Sequence, residues 1–359
     1  MVYNSIFFIF CFLPVFMLIY YLVPGKLRNL LLFLGSLVFY AWGEPVYVIL
    51  MLFSSVFNYY MGTELERLYY DDRKQKINLI FSIVVNLFIL VFFKYYGFLL
   101  NTIGGITGIH IPHPELSLPI GLSFYTFRNL SYLFDIYLSK INAQRNFLTF
   151  AVYSTMFPYT SAGPIIRYAD IEEQLTHRSL NVSRFGLGAE LFVKGLAKKV
   201  LLADNLSALY AGICGHSQMS VFTAWIGILA YTMQLYFDFS GYSDMAIGLG
   251  KMLGFDFNKN FDYPYISTSV SEFWRRWHIS LGSWFRDYIY IPLGGNRVST
   301  LKHVRNILIV WALTGLWHGA SWNFVLWGIY YGFFLLLEKF VLQGVLERMP
   351  SWLRTVYTM

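Results

Sequence analysis

The chain has 359 residues, of which 57% are hydrophobic, 20% are aromatic and only 13% are charged. Soluble globular domains carry about a quarter charged residues, so this composition excludes an ordinary soluble domain and indicates a helical membrane protein. The formal net charge of +7 fits the excess of Lys and Arg in cytoplasmic loops and needs no nucleic-acid partner. Cys11 and Cys214, the two cysteines, supply neither a disulfide framework nor metal-ligand spacing.

The first hundred residues predict four membrane spans separated by loops that alternate in charge. The predicted spans are residues 5–23, 30–42, 46–61 and 77–100. Proline stops the second span at the hinge 43–45. Basic residues lie at 24–29 and 67–76, whereas the loop 101–118 holds His110 and His113 but no Lys or Arg. The positive-inside rule therefore predicts that the loops at 24–29 and 67–76 are cytoplasmic and that 101–118 faces outward.

Two less apolar segments follow. Residues 119–138 form a span in which Arg128 and Asp135 are seven residues apart and so lie on one helical face. Buried charges are usually paired, so we expect both side chains to face other helices. Residues 150–167 are too broken by Pro and Gly for a continuous span and predict a re-entrant segment.

The segment 185–210 concentrates Lys194, Lys198 and Lys199 on one side. Lysines so placed either reach toward anionic headgroups or form an approach for a phosphate-bearing cofactor, and the sequence leaves both readings open.

The span 221–239 ends in the segment 237–244, where a Ser-Gly pair among aromatic residues predicts a broken helix that enters the protein interior. Asp238 and Asp244 are helix caps, pore-lining carboxylates or partners for the arginines that follow, and sequence does not separate these alternatives.

Residues 271–291 carry an apolar stripe with helical spacing, which predicts one amphipathic helix in the membrane interface. The stripe comprises Phe273, Trp277, Leu281, Trp284 and Tyr288, and Arg275, Arg276 and Arg286 lie off it. His278 is either an interfacial polar residue or part of a functional site. The segment 292–302 then turns through two glycines.

The segments 307–319 and 322–340 predict a closely joined pair of spans, which places His318 near the end of the first. Ionisable side chains at membrane depth are costly, and Gly319 and Ala320 leave room beside the ring. His318 is therefore the strongest candidate for a functional residue.

The sequence contains none of the phosphate-binding, dinucleotide, metalloprotease or nucleophile-elbow motifs, and no internal repeat typical of a transporter. It nevertheless resembles the membrane-bound O-acyltransferase family, in its bacterial branch that acetylates alginate, over nearly its whole length. The matching segments are residues 118–127, 162–165, 236–244, 274–284, 292–297 and 317–319.

The resemblance implies an all-α, polytopic membrane protein with about nine spans plus re-entrant and interfacial helices. It implies a single membrane-embedded domain over residues 1–359, located in the cytoplasmic (inner) membrane as a multi-pass protein. Relatives continue beyond Met359, so we expect a chain that is either naturally short or C-terminally truncated.

The same resemblance assigns His318 as the catalytic residue of a Trp-His-Gly motif and His278 as the upstream residue that supports it. It implies a tunnel in which a cytoplasmic acyl thioester, with acetyl-CoA as the expected co-substrate and no tightly bound cofactor or metal, meets an acceptor hydroxyl. The residues expected to bind substrate are Trp274, Arg275, Arg276, Trp277, Asp238, Asp244, Asn296, Trp317 and Asn323.

The predicted function is acyl transfer to an exported polysaccharide or a partner protein, with His318 as general base. The expected partners are membrane lipids and an extracytoplasmic esterase-like protein; teichoic acid or peptidoglycan are alternative acceptors. A competing prediction is a polysaccharide or lipid transporter with a proton relay, which explains buried polar groups but not their concentration in one aromatic, basic stretch. A third is a structural partner that recruits a soluble transferase.

Overall fold

The computed structural model describes residues 1–109, 112, 114, 116–216 and 219–359, and these contain helices and no strand. His110 and His113 lie outside the described residues. The α-helices are α1 Leu13–Leu22, α2 Arg28–Ala41, α3 Val48–Arg67, α4 Asp72–Thr107, α5 Leu122–Tyr137, α6 Phe147–Thr155, α7 Tyr168–Thr176, α8 Val182–Ala197, α9 Asp204–Cys214, α10 Val221–Met252, α11 Val270–Arg276, α12 Ile279–Phe285, α13 Thr300–His318, α14 Trp322–Leu337, α15 Gln343–Arg348 and α16 Ser351–Thr358.

Two of these helical segments are long and apolar enough to cross a membrane by length and composition, within the part of the chain that the structure describes. They are Asp72–Thr107, which contains the predicted span 77–100, and Trp322–Arg348, in which α14 continues through a π-helical turn into α15. Phe8–Leu22 is a shorter apolar helix. The predicted all-α fold class is therefore confirmed for the part of the chain that the structure describes.

The chain divides into two compact units. The first unit comprises residues 1–56 and 144–260, and the second comprises residues 57–143 and 261–359.

In the first unit, α8 and α10 pack backbone against backbone. A Cβ atom on Gly188 would lie 2.7 Å from the carbonyl oxygen of Gly248, and one on Gly195 would lie 2.5 Å from that of Gly241. No side chain fits at these positions, so four glycines form the contact.

This packing corrects the prediction of a broken helix at 237–244. α10 runs without interruption from Val221 to Met252, because Gly241 serves a helix contact and not a turn. The segment 150–167 is irregular as predicted: α6 ends at Thr155, and a single 3₁₀ turn, Phe157–Tyr159, follows it.

In the second unit, the part of α3 after residue 56 is joined to α4 by a reciprocal pair of amide hydrogen bonds. The Asn58 side-chain amide donates to Asn86 Oδ1 at 3.1 Å, and the Asn86 amide donates to Asn58 Oδ1 at 2.8 Å. α4 extends to Thr107 and ends at Gly108, whose φ of 72° permits the left-handed cap, so the helix takes the first residues of the predicted loop 101–118.

α13 and α14 form the predicted closely joined pair. A Cβ on Gly315 would lie 2.3 Å from the carbonyl oxygen of Phe324, and a Cβ on Gly328 would lie 2.3 Å from that of Trp311. The two backbones therefore meet directly along this seam, and α13 ends at His318.

Candidate active site

The predicted helix over 271–291 is broken at its centre, which corrects the expectation of one continuous interfacial helix. α11 ends at Arg276, α12 begins at Ile279, and His278 between them takes the left-handed conformation, with φ 45° and ψ 55°. A continuous helix would pair the carbonyl of Arg276 with the N–H of Ser280. Here that carbonyl accepts instead from the backbone N–H of Asp262, at 2.9 Å.

The two halves of the apolar stripe face different neighbours. Trp277 packs against Phe261, with ring centroids 5.1 Å apart. Trp284 stacks on Phe127 at 4.0 Å, and its indole N–H donates to the Phe127 carbonyl at 3.0 Å. A straight helix cannot serve both surfaces, so the chain turns at His278.

The turn buries the side chain of His278 inside the protein. Its side chain is only 3% exposed, and Nδ1 lies 3.4 Å from the Ser280 hydroxyl. This burial favours a place in a functional site over an exposed position in the membrane interface.

His278 and His318, forty residues apart in sequence, come together around one indole ring. The ring centroid of Trp317 lies 5.7 Å from that of His278 and 5.0 Å from that of His318. His318 is half-buried and also contacts the Trp327 ring, at 5.0 Å.

Both histidines line a cavity of about 750 Å³ in the second unit, here named the histidine cavity. One face of α13 supplies a wall of this cavity: His303, Ile307, Val310, Trp311, Thr314 and His318. From His303 to His318 this face extends about 22 Å, at 1.5 Å per residue. The cavity is therefore an elongated channel with the two histidines at the C-terminal end of α13.

The lining of the cavity is rich in charge. Arg275, Arg286, Lys339 and Arg354 contribute to it, with the carboxylates of Glu338 and Glu347. Arg286 pairs with Asp287 at 2.7 Å, which leaves three cations against two carboxylates, a positive balance that suits an anionic ligand.

The carboxylate of Glu338 has a structural role. Its carboxylate, 5% exposed, accepts from the backbone N–H of Val270 at 2.6 Å and from that of Ser271 at 3.0 Å. These are free N–H groups in the first turn of α11. Glu338 thus fixes the helix that carries Trp274 and Arg275.

The structure separates the two neighbouring arginines that sequence grouped together. Arg275 is exposed and lines the histidine cavity. Arg276 pairs with Glu272 at 2.8 Å and with Asp262 at 3.5 Å. Hydrogen bonds from the backbone and hydroxyl of Thr268, with the charge of Arg276, hold the pKa of Glu272 below its ordinary value, so it stays ionised as a partner.

Trp274 and Trp277 both line the cavity. Among the described residues, no acceptor bonds to the buried Nε1 of Trp274 or to that of Trp317. Two indole N–H donors are therefore available near the histidines, as expected for Trp317. Asn296 and Asn323 are exposed, and neither is among the described residues that line the cavity.

Asp238 and Asp244 belong to the first unit, and lysines hold both. Lys199 lies 2.6 Å from Asp238 and 2.8 Å from Asp204, and Lys198 lies 2.6 Å from Asp244. Their partners are thus lysines of the π-helical turn Lys198–Ala203, between α8 and α9, and not the arginines that follow. With Lys194 paired to Glu190, the charges of the whole lysine cluster are matched by carboxylates.

Asp135 confirms the expectation of a paired buried charge. It is 2% exposed, accepts from the Tyr288 hydroxyl at 2.8 Å and pairs with Lys140 at 3.3 Å. Arg128, on the same face, is fully buried.

One polar contact of the site escaped sequence reasoning. Lys94, within α4, donates from Nζ to the backbone carbonyl of Trp317. The available signal was a lone lysine inside the clearest predicted span, since ionisable residues at that depth mark functional sites by default.

The chain is similar to several known proteins. The model of the membrane-bound O-acyltransferase family matches residues 41–358. The chain is 44% identical to the "Probable alginate O-acetylase AlgI" of Pseudomonas aeruginosa, over 100% of this chain and 70% of that protein. It is 36% identical to the "Peptidoglycan O-acetyltransferase" of Helicobacter pylori, over 94% of this chain and 70% of that one.

A more distant similarity extends to the "Teichoic acid D-alanyltransferase" of Bacillus subtilis, 26% identical over 64% of this chain and 61% of that protein. The match of the family model, over most of the chain, confirms the resemblance that the motifs indicated. The chain belongs to the membrane-bound O-acyltransferase family.

Proposed function

We propose that this protein transfers an acetyl group from a thioester donor, taken up from the cytoplasm, to a hydroxyl of an exported cell-surface polysaccharide. The observation that carries the proposal is that His278 and His318 line one elongated cavity and contact the same indole. The names of the relatives, which cover alginate and peptidoglycan O-acetylation, support the acceptor class.

His318 is the general base in this mechanism. A neutral imidazole can take the proton of an acceptor hydroxyl as the oxygen attacks the thioester carbonyl. The anionic tetrahedral intermediate then collapses with cleavage of the C–S bond, and the imidazolium returns the proton to the departing thiolate. His278 orients the acceptor or supports the base.

The developing oxyanion needs a donor that no other group occupies. Trp274 Nε1 meets this requirement, because it is buried, lines the cavity and bonds to no acceptor in the described part of the chain. Its ring is held at the edges of Trp311 and Tyr331, with centroids 4.9 and 4.8 Å away. A donor fixed in this way costs little reorganisation during the reaction.

The charged lining of the cavity suits the donor. Acetyl-CoA carries phosphates, which arginine binds well through its planar fork. Arg275 and Arg354 supply such groups. The cavity also extends along α13 from His303 to His318, which gives room for an extended thioester arm.

The topology follows from the charge pattern. We propose a single domain over residues 1–359, with about nine spans and additional re-entrant and interfacial helices, as a multi-pass protein of the cytoplasmic membrane. Basic loops lie on the cytoplasmic side. Lipids surround the helices, and an extracytoplasmic esterase-like partner receives the acyl group or guides the acceptor.

The decisive experiment replaces His318 with Gln, which retains hydrogen bonding but cannot accept a proton at neutral pH. A positioned base typically contributes about 10²–10⁴-fold. We expect His318→Gln and His318→Ala to lose product formation while the protein accumulates normally in the membrane. Acyl transfer by His318→Gln at close to the parental rate, measured with the donor and polysaccharide in vesicles, would make His318 structural.

A further inference from the structure

Lys94 is a cation on the longest apolar helix of the described residues. It lies on α4, inside the predicted span 77–100 and 22 residues beyond the start of the helix. A lysine at this depth is costly in a bilayer and persists where a partner or a function retains it. Lys94 is not among the described residues that line the histidine cavity, so the mechanism proposed above gives it no direct role.

The partners of Lys94 are on the last turn of α13. Its ammonium donates to the Trp317 carbonyl and lies 5.6 Å from the centroid of the Trp317 ring. The adjacent hydroxyl of Tyr95 donates to the carbonyl of Leu316. Two consecutive residues of α4 thus hold two consecutive carbonyls of α13.

These carbonyls are ones that a helix cannot satisfy by itself. The last four C=O groups of an α-helix have no intrahelical donor, and the negative end of the helix dipole favours a cation there. α13 ends at His318, and Gly319 leaves the helix with extended backbone. Without a partner, the turn that carries Trp317 and His318 would fray.

We propose that Lys94 is a positioning residue for acyl transfer: with Tyr95 it fixes the last turn of α13, so that Trp317 stays between the two histidines and His318 stays aimed into the cavity. This inference rests on the proposed function of His318. Lys94 reaches the helix end through the carbonyl and ring of Trp317, so it acts through another residue and not on the substrate.

The test compares Lys94→Met, Lys94→Arg and Tyr95→Phe with the parent and with Lys76→Met, an exposed lysine on the same helix. Misplacement of a reacting group by about 1 Å costs on the order of 100-fold in rate. We expect Lys94→Met to lower kcat by about that factor, with the KM for acetyl-CoA changed less than about twofold, because the donor's cations lie elsewhere. Lys76→Met should match the parent.

Arginine keeps the charge and can still donate to a carbonyl, so Lys94→Arg should recover most of the lost kcat. Tyr95→Phe removes one hydroxyl and no charge, and it should lower kcat by about tenfold even where Lys94→Met fails to accumulate. Two results would overturn the inference. One is a parental kcat for both Tyr95→Phe and Lys94→Met. The other is a parental kcat for Tyr95→Phe when Lys94→Met fails to accumulate.

His318→Gln in the same preparation separates this inference from the proposed function. An inactive His318→Gln beside fully active Lys94→Met and Tyr95→Phe overturns only the positioning role. An active His318→Gln overturns the assignment of the base and the positioning role with it.

Discussion

Gly188 and Gly248 face each other so closely that a Cβ on Gly188 would lie 2.7 Å from the Gly248 carbonyl oxygen. The obstacle is backbone and cannot rotate away. We expect Gly188→Ala to destabilise the protein by about 1–3 kcal/mol, the usual cost of overpacking. Thermal unfolding in detergent micelles measures this loss of stability.

The matched control for that substitution is on the same helix. Gly186 has no atom within 4 Å of the position of a Cβ, so Gly186→Ala should be neutral or stabilise α8 by about 0.5–1 kcal/mol. Equal melting temperatures for the two variants would show that α8 and α10 do not pack through Gly188.

Arg275 and Arg276 should differ in their effect on the donor. Loss of a charged hydrogen bond costs about 1.5–3 kcal/mol, so Arg275→Gln should raise the KM for acetyl-CoA by about tenfold or more, with kcat little changed. Arg276→Gln removes ion pairs with Glu272 and Asp262 and should lower stability instead. Steady-state kinetics with both variants distinguishes them, and an equal KM effect would contradict the separation of their roles.

Trp274→Phe tests the oxyanion donor while keeping an aromatic ring. Removal of one such donor typically costs about 10²–10³-fold in kcat. Trp352→Phe, at a 67% exposed tryptophan, is the control and should be fully active. A normal kcat for Trp274→Phe, with the protein stable, would exclude its indole N–H from the chemistry.

His278→Asn is the sharper variant at the second histidine. Asn adopts the left-handed conformation more readily than most residues, so it preserves the turn at φ 45° while removing the imidazole. We expect a large loss of kcat with an unchanged melting temperature, and a smaller loss than for His318→Ala. His278→Ala should in addition be less stable. If His278→Asn turned over at the parental rate, the imidazole would have no part in the reaction, and the residue would serve only the backbone turn.

Cysteine labelling tests the topology. In a background with Cys11 and Cys214 replaced by Ser, both being free and exposed, Lys74→Cys should resist a membrane-impermeant thiol reagent in intact cells. Met219→Cys, at an exposed position in the segment 212–220, which holds no Lys or Arg and is predicted to face outward, should react. The opposite labelling pattern would reverse the proposed orientation.

The sequence predicted well what depends on local apolar runs. α4 contains the span 77–100, and the α13/α14 pair falls where the segments 307–319 and 322–340 place it. His318 was identified because one ionisable residue in such a run is conspicuous.

What could not be predicted depends on contacts between distant segments. The break at His278 arises from the Asp262 N–H, which competes for the carbonyl of Arg276. The role of Gly241 in a continuous α10 depends on its contact with Gly195, and only the folded chain places these two glycines opposite each other. The same limit applies to Lys94, whose partner Trp317 is 223 residues away.

The close backbone contact between α13 and α14 also restricts the routes by which a substrate can enter. At Gly315 and Gly328 the helices are too close for even a methyl group to lie between them. A lipid tail is wider than a methyl group, so no lipid chain can pass between α13 and α14 at these two positions. A lipid-anchored acyl source would therefore need another route to His318.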